Sequence, residues 1–172
     1  MPTIDNVDHY SEVLASTSFF EDFEDAQLQS LVGACQRRQL ASREALWAVG
    51  ASGDAAYILI DGRLEQTRLL PPDDKRVDQI SETGTPIGLS YLVKAWDHDS
   101  TMTAIEATEL LELKRPAFNE LFDDGQIAAY RLVDHLAEQL VRQMRDANER
   151  LHDVFGNPAE TLRMLRRRVR KA

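Results

Sequence analysis

The chain has 172 residues, of which 43% are hydrophobic, enough for one folded domain with a core and one appended element. No apolar run reaches the roughly 20 residues that a membrane-spanning helix needs. Residues 1–10 lack the basic and apolar regions of a signal peptide, so we expect a cytoplasmic protein. The only cysteine, Cys35, excludes an intramolecular disulfide. The net charge of −9 disfavours a surface built for nucleic acid.

The charge is unevenly distributed along the chain. Residues 163–171 hold six of the 20 basic residues and no acidic one, so the rest of the chain carries a net charge of −15. This pattern predicts a basic helix or tail over 156–172. Such a segment either contacts an anionic surface, such as nucleic acid, a membrane or an acidic protein, or neutralises the acidic body as a solvated tail.

Two short amphipathic helices are predicted near the N-terminus, over Asn6–Ala15 and Asp25–Cys35. Apolar residues of the second helix repeat at i, i+3, i+4 and i+7, which is typical of a helix packed against a larger body. Three phenylalanines lie between or beside these helices, and we expect them in the core: Phe19, Phe20 and Phe23.

From Gln39 to Leu113 the pattern changes to short strand-like runs that are separated by Gly, Pro and Asp turns. Several short strands with closely spaced turns predict an α+β protein built on a β-sandwich or jelly roll. Residues 71–74, P-P-D-D, predict a hairpin tip. The predicted strands are Ala45–Trp47, Ala56–Ile60, Arg63–Leu69, Arg76–Ile80, Thr101–Ile105 and Leu110–Leu113.

The stretch from Gly84 to Thr101 has the layout of an anion-binding turn. Gly84 and Gly88 permit a tight backbone, and residues 89–93 predict a short helix whose N-terminal amides favour a phosphate. Ser100 and Thr101 add hydroxyl groups at the start of the next strand. The stretch therefore predicts a phosphate-binding site beside the sandwich.

This stretch resembles the phosphate-binding cassette of the cyclic-nucleotide-binding domains, the family of the catabolite-activator type regulators. The family pattern reads G-E-L-A, then a few residues, then R-A or R-S followed by a small residue and Thr. Gly88, Ser100 and Thr101 match that pattern. Leu89 stands where the family has the glutamate that binds the ribose 2′-hydroxyl. His98 stands where the family has the arginine that clamps the cyclic phosphate.

Two further segments carry the resemblance, which covers residues 19–151. Gly50–Glu65 is similar to the family run G-x-x-x-D-x-x-Y-x-I-x-x-G-x-V, and residues 109–121, E-L-L-E-L-K-R-P-A-F-N-E-L, follow in the expected order. Because the glutamate and the arginine are replaced, tight binding of cyclic AMP or cyclic GMP is not expected. If the pocket is used, its ligand-binding residues are Gly88, Leu89, Ser90, Tyr91, His98, Ser100 and Thr101.

No enzyme motif stands out in the sequence. The four histidines are scattered, with no H-x-H or H-E-x-x-H spacing, and no G-x-S-x-G elbow, P-loop or dinucleotide fingerprint is found. Asp97-His98-Asp99 is interpreted as an exposed turn in which the aspartates favour the charged imidazole. A base with its orienting groups, or a weak metal site, is the alternative. We expect no catalytic residue, metal or cofactor. The candidate ligands are a cyclic nucleotide or a different, more apolar molecule in a pocket lined by Leu89, Tyr91 and His98.

A long helix is predicted over Gln126–Val154, after a helix from Pro116 to about Phe122. Its apolar residues are spaced by three and four, as in a helix that packs along its length on another helix. A symmetric dimer is favoured over a helix lying back on its own domain, because so short a sandwich covers too little of the helix. In the family that the chain resembles, this helix forms the dimer interface. The predicted interface residues are Val133, Leu136, Leu140, Met144, Ala147 and Leu151.

The predicted division is a β-roll domain with flanking helices over 1–123, a dimerisation helix over 124–155 and a basic helix or tail over 156–172. Too few residues follow for the winged helix of the family's transcription factors, so DNA recognition by that route is not expected. Three functions remain open. The first is a non-enzymatic regulatory module that acts through a homodimer and protein partners. The second is a cyclic mononucleotide or dinucleotide sensor that signals through the long helix. The third is a nucleic-acid-associated protein that uses Arg163–Lys171.

Overall fold

The computed structural model describes residues 4–70 and 74–156, and for 153–155 the backbone alone. The helices are α1 (Val7–Ala15), α2 (Asp25–Ala34), α3 (Ser90–Val93), α4 (Arg115–Asp123) and α5 (Ile127–Phe155), with a 3-10 turn over Ser18–Phe20. The strands are β1 (Gln36–Leu40), β2 (Ala45–Trp47), β3 (Ser52–Gly53), β4 (Ala55–Asp61), β5 (Leu64–Leu70), β6 (Asp74–Ile80), β7 (Pro86–Ile87), β8 (Trp96–Asp97), β9 (Thr101–Ala104) and β10 (Thr108–Lys114).

The strands form two four-stranded antiparallel sheets and a two-stranded ribbon. The first sheet has the order β1-β10-β4-β7, the second the order β2-β9-β5-β6, and the ribbon pairs β3 with β8. The predicted jelly-roll fold with N-terminal helices and a long C-terminal helix is therefore confirmed. Four strands were not predicted, because β3, β7 and β8 are two residues long and β1 reads Q-R-R-Q-L, without apolar alternation.

The main apolar core lies between the two four-stranded sheets. Strands of both sheets contribute buried side chains, because every second residue of a strand faces the opposite sheet. Tyr57, Leu46 and Ile80 pack against this core and are partly buried. Its buried members are Leu40, Trp47, Leu59, Leu64, Ile87, Met102, Ala104 and Leu110.

Strand β10 is buried on both of its faces. Leu110 belongs to the core between the sheets, whereas Leu111 and Leu113 point to the opposite face and are also at most 2% exposed. Helix α4 follows β10 directly and contacts it, while α2 packs against α1 and α4. A helical layer thus accompanies the first sheet, which explains why E-L-L-E-L does not read as a simple alternating strand.

The N-terminal helices match their predicted ranges to within one residue, since α1 begins at Val7 and not at Asn6, and α2 ends at Ala34 and not at Cys35. A capping box starts α2, because the Glu24 side chain accepts a hydrogen bond from the amide of Gln27 and the Gln27 side chain accepts one from the amide of Glu24. Phe20 and Phe23 are buried with their rings edge to face at 5.1 Å, while Phe19 is only partly buried. The phenylalanine cluster is therefore a packing element.

The chain divides into two compact units, and the boundary falls within α5, between Leu132 and Val133. Among the described residues, no helix is long and apolar enough to cross a membrane. Of the hairpin tip predicted at 71–74, residue 74 begins β6 and the others lie outside the described residues. The basic segment predicted over 156–172 also lies outside them, except for its first residue.

Candidate functional site

The predicted anion-binding turn connects the first sheet with the ribbon and the second sheet. Strand β7 pairs with β4, and Gly88 then turns the chain with a φ of +75°, a conformation that favours glycine. Helix α3 follows, and the Tyr91 amide donates to the Gly88 carbonyl at 2.9 Å while the Leu92 amide donates to that of Leu89 at 3.1 Å. Because α3 is only four residues long and two of its amides are used within the turn, it offers little to an anion.

The phenol ring of Tyr91 lies between two glycines. A Cβ on Gly53 would stand 2.6 Å from Cδ1 of Tyr91, and a Cβ on Gly88 would stand 2.8 Å from Cδ2 on the other edge of the ring. Neither distance is compatible with a side chain, so both glycines leave room for this ring. Tyr91 occupies the position of the alanine in the G-E-L-A pattern, and a small residue is thus replaced by a ring that fills the turn.

His98 is buried, which corrects the interpretation of Asp97-His98-Asp99 as an exposed turn. Its side chain is 5% exposed and stacks on the Trp47 indole, with ring centroids 4.2 Å apart and planes 7° apart. The Tyr91 ring meets the imidazole edge to face at 4.4 Å. Only the two flanking aspartates are exposed.

Burial decides the charge of His98. It lowers the pKa of the imidazole, and the nearby carboxylates of Asp99, Asp54 and Asp97 offset this only in part. The flanking aspartates thus favour the charged imidazole, as the sequence suggests, but burial outweighs them. Within the described part of the chain, neither Nδ1 of His98 nor Nε1 of Trp47 has a hydrogen-bond partner. The position of the family's arginine therefore carries a neutral ring inside an aromatic cluster.

The remaining predicted pocket residues are placed differently from one another. Leu89 is buried and Ser90 is exposed. The Ser100 hydroxyl, which is 2% exposed, accepts a hydrogen bond from Nε2 of Gln66 at 2.8 Å. The Thr101 hydroxyl accepts one from the Val49 amide at 3.1 Å. One cluster thus contains Gly88, Tyr91 and His98 together with Gly53 and Trp47. The hydroxyls of Ser100 and Thr101 instead accept hydrogen bonds from a β5 side chain and a backbone amide.

Sequence reasoning missed a polar contribution from β5. Gln66 reaches Ser100, and Nε of Arg68 lies 3.2 Å from Oδ2 of Asp99. Burial raises the pKa of the Tyr91 phenol and Asp99 adds to the rise, while the charge of Arg68 opposes it. The sequence of β5, L-E-Q-T-R-L-L, could have predicted this contribution. Because side chains alternate along a strand, Gln66 and Arg68 share the inward face with Leu64.

The predicted interface residues on α5 differ in exposure. Leu136 is 8% exposed and Val133 is partly buried, whereas Leu140, Met144 and Leu151 are 46%, 65% and 54% exposed and Ala147 is exposed too. Contiguous exposed apolar side chains on a helix are unusual unless another surface covers them. Among the described residues, no group of three or more His, Cys, Asp and Glu side chains is arranged to hold a metal ion.

Comparison with known proteins gives a match to one family model. Residues 37–125, just over half of the chain, match the model described as the cyclic nucleotide-binding domain. The chain is also 24% identical over 121 residues to the neuropathy target esterase sws of Drosophila grimshawi. That match covers 70% of this chain and 8% of the relative, so the chain spans a small part of the length of that protein.

Two solved structures illustrate the likeness in fold. The N-terminal domain of a transcriptional regulator from Streptomyces coelicolor A3(2) has a TM-score of 0.67 at 24% identity, covering 78% of this chain and 94% of that one. The Catabolite Activator Protein of Thermus thermophilus has a TM-score of 0.70 at 22% identity, covering 80% of this chain and 63% of that one. At this level of identity the likeness establishes the fold alone.

Proposed function

The chain belongs to the cyclic nucleotide-binding domain family, and we propose that it is a cytoplasmic, non-enzymatic regulatory module of this family whose cassette no longer binds cyclic AMP or cyclic GMP tightly. In this proposal the module acts through a homodimer and a protein partner. The observation that carries it is the Tyr91 ring, which packs against Gly53 and Gly88 and takes up space within the turn to which the family resemblance assigns the ligand.

The chemistry of the cassette supports the same conclusion. Loss of an arginine that pairs with a phosphate costs about 2–5 kcal/mol of binding free energy. Loss of a buried hydrogen-bonding carboxylate costs about 1–3 kcal/mol. At the matching positions this chain has His98, with a lowered pKa, and the buried Leu89. Neither side chain replaces the lost charge, so the expected loss of affinity amounts to several tenfold steps.

Thermal unfolding of the purified chain with millimolar cyclic AMP, cyclic GMP and cyclic dinucleotides tests the proposal. We expect no shift of the midpoint, whereas a ligand at about 100 times its Kd would add about 2.7 kcal/mol to the free energy of unfolding. The triple variant Leu89→Glu, Tyr91→Ala, His98→Arg is the positive control, because it restores the family pattern. A saturable shift with the unchanged protein would instead assign it as a cyclic nucleotide sensor.

The exposed apolar face of α5 supports the dimer. We propose that residues 124–155 act as the dimerisation element, with Val133, Leu136, Leu140, Met144, Ala147 and Leu151 in the interface. Leu140 and Val141 are 46% and 47% exposed but point about 100° apart around the helix, and only Leu140 belongs to the stripe. This pair allows a matched test of the interface.

Sedimentation equilibrium of two variants tests the interface. Leu140→Glu buries a charge if the stripe pairs with a second copy, and we expect it to dissociate the dimer. Val141→Glu adds the same charge at the same exposure outside the stripe, and we expect it to remain dimeric. A monomeric unchanged protein, or equal dissociation by both variants, would rule out this interface.

A further inference from the structure

Along the β5–β6 hairpin, the face that points inward is apolar near the core and polar toward the tip. Leu64 pairs with Ile80, and both pack in the core between the sheets. One step toward the tip on the same face, Gln66 pairs with Asp78, and Gln66 donates a hydrogen bond to the buried Ser100. Directly opposite residues of an antiparallel pair share a face, so this inward face becomes polar.

The apolar residues of the same segment lie on the other face. Val77, which pairs with Thr67, is 44% exposed, and Leu69, which pairs with Lys75, is 74% exposed. A strand that only needed to fill the core would place these side chains inward and the polar ones outward. The reversal places polar groups on the face toward the cassette, at a cost in burial.

Two arginines lie opposite each other on this inward face. Arg68 pairs with Arg76 in the hairpin register, so their Cβ atoms are about 4.5–5.5 Å apart and their like charges disfavour the pairing. Each is flanked by one carboxylate: Nε of Arg68 lies 3.2 Å from Asp99, and Nε of Arg76 lies 2.8 Å from Asp78.

The guanidinium of Arg68 is incompletely satisfied. Its Nη2 donates a long hydrogen bond to Oδ1 of Asp99 at 3.4 Å, whereas its buried Nε has no aligned acceptor among the described residues, although Asp99 is within ion-pairing distance. In Arg76, Nε donates to the carboxylate of Asp78, and its two Nη atoms have no acceptor among the described residues; the side chain is 52% exposed. Both guanidiniums therefore have N–H groups that are free to bind a further acceptor. A guanidinium presents these groups in a planar fork that suits a phosphate.

We propose that Arg68 and Arg76 together bind the phosphate group of a small phosphorylated ligand on the inward face of the β5–β6 hairpin, outside the cassette. The phosphate dianion relieves the repulsion of the like-charged pair and accepts the hydrogen bonds that the aspartates leave unmade. Asp78 and Asp99 compete with it and keep the pair neutral in its absence. Asp99 lies in the cassette stretch, but both arginines that bind the phosphate lie outside it, so the proposal does not require a cyclic nucleotide to bind at the turn.

The test uses inorganic phosphate as the probe. The midpoint of thermal unfolding is measured at pH 8 with increasing sodium phosphate, at an ionic strength held constant with sodium chloride. We expect a saturable rise in the unchanged protein. Arg76→Gln, at a half-exposed position that folding tolerates, should raise the half-saturating concentration about tenfold. Asp78→Asn removes the competing carboxylate and should lower it.

Arg63→Gln is the matched control, because Arg63 is similarly exposed (48%) and paired with a carboxylate, Glu106 at 4.0 Å, but has no second arginine opposite. We expect it to respond to phosphate as the unchanged protein does. Phosphate also stabilises folded proteins in general by exclusion from their surface. A rise that is equal in Arg76→Gln and the unchanged protein, or no rise at all, would therefore overturn the proposal.

Discussion

The imidazole of His98 lies flat against the indole of Trp47, with 4.2 Å between the ring centroids and 7° between the planes. Trp47 ends β2 in the second sheet, while the backbone of His98 is bonded to Ala51 at 2.8 Å and to Gly50 at 2.7 Å. The stack therefore connects the cassette with the core, and a change in the charge of His98 acts on the stability of the domain.

The first prediction concerns pH. Because burial holds the pKa of His98 below its usual value of about 6.5, the unfolded chain binds more protons than the folded one when the pH falls below that value. We expect the free energy of unfolding to decline as the pH falls below about 6.5 and to recover as it rises. His98→Phe keeps a ring against Trp47 but cannot titrate, and urea unfolding between pH 7.5 and 5 should show a flatter dependence.

His9→Phe is the control for this pH series, since His9 is exposed and its ring lies beside Tyr10 at 5.4 Å. Equal pH dependence in His98→Phe and in the unchanged protein would contradict the assignment. Direct titration of the His98 ring protons by NMR gives the sign of the shift independently.

The second prediction concerns the space around Tyr91. Gly53→Ala places a Cβ at 2.6 Å from the Tyr91 ring, and we expect it to destabilise the domain by about 1–3 kcal/mol through overpacking. Tyr91→Ala removes the obstacle, so the two substitutions together should cost less than the sum of their separate effects. Urea unfolding of the double-mutant cycle measures this coupling.

Gly33→Ala is the matched control for the Gly53 substitution. Gly33 lies in α2, and a Cβ there meets nothing within 4 Å, so alanine should stabilise the helix by about 0.5–1 kcal/mol. If Gly53→Ala were equally harmless, Tyr91 would not fill the turn, and the main support for the proposed function would be lost.

The third prediction concerns Arg43 in the connection between β1 and β2. Arg43 has a φ of +70°, in the left-handed region that costs a side-chain-bearing residue about 1–2 kcal/mol. Arg43→Gly removes that strain and keeps the 2.7 Å hydrogen bond from the Arg43 amide to the Ala104 carbonyl. We expect an increase of up to about 1 kcal/mol in the free energy of unfolding by urea. Arg43→Ala, which loses the side chain but keeps the strain, should show no such gain.

The fourth prediction concerns Glu109, which joins α1 to the first sheet. Its carboxylate accepts hydrogen bonds from Nε and Nη2 of Arg37, both at 2.8 Å, and from the Tyr10 hydroxyl at 2.5 Å. The bonds from Arg37, more than that from Tyr10, lower the pKa of Glu109. Its stabilising effect is therefore complete above the usual glutamate value, about 4.3, and is lost as the pH falls through the lower pKa of the folded state.

Glu109→Gln should consequently destabilise the domain at neutral pH and reduce the loss of stability in acid, as measured by urea unfolding between pH 7 and 3. Glu106→Gln is the control, because Glu106 faces Arg63 at 4.0 Å, without the bidentate geometry. Identical acid unfolding of the two variants would assign the network no stabilising role.

The architecture was predictable from local pattern. Short strands around Gly, Pro and Asp turns, the capped helix α2 and the three-and-four spacing of α5 each depend on neighbours in sequence, so periodicity and turn chemistry predict them. The same is true of the edited cassette, since Leu89 and His98 are visible as departures from the family pattern. The two-residue strands β3, β7 and β8 carry too few residues for any period.

Only the tertiary structure decided the state of the cassette. Gly53 lies in β3, far along the chain from Tyr91 and His98. Their packing places the Tyr91 ring inside the turn and buries His98 as a neutral ring. The sequence shows that the aspartates beside His98 favour its charged form, but the larger effect is desolvation, which depends on what packs around the ring in space. The pairing of Arg68 with Arg76 likewise follows from the hairpin register. Local sequence thus determined which elements form, and long-range packing determined the chemistry where they meet.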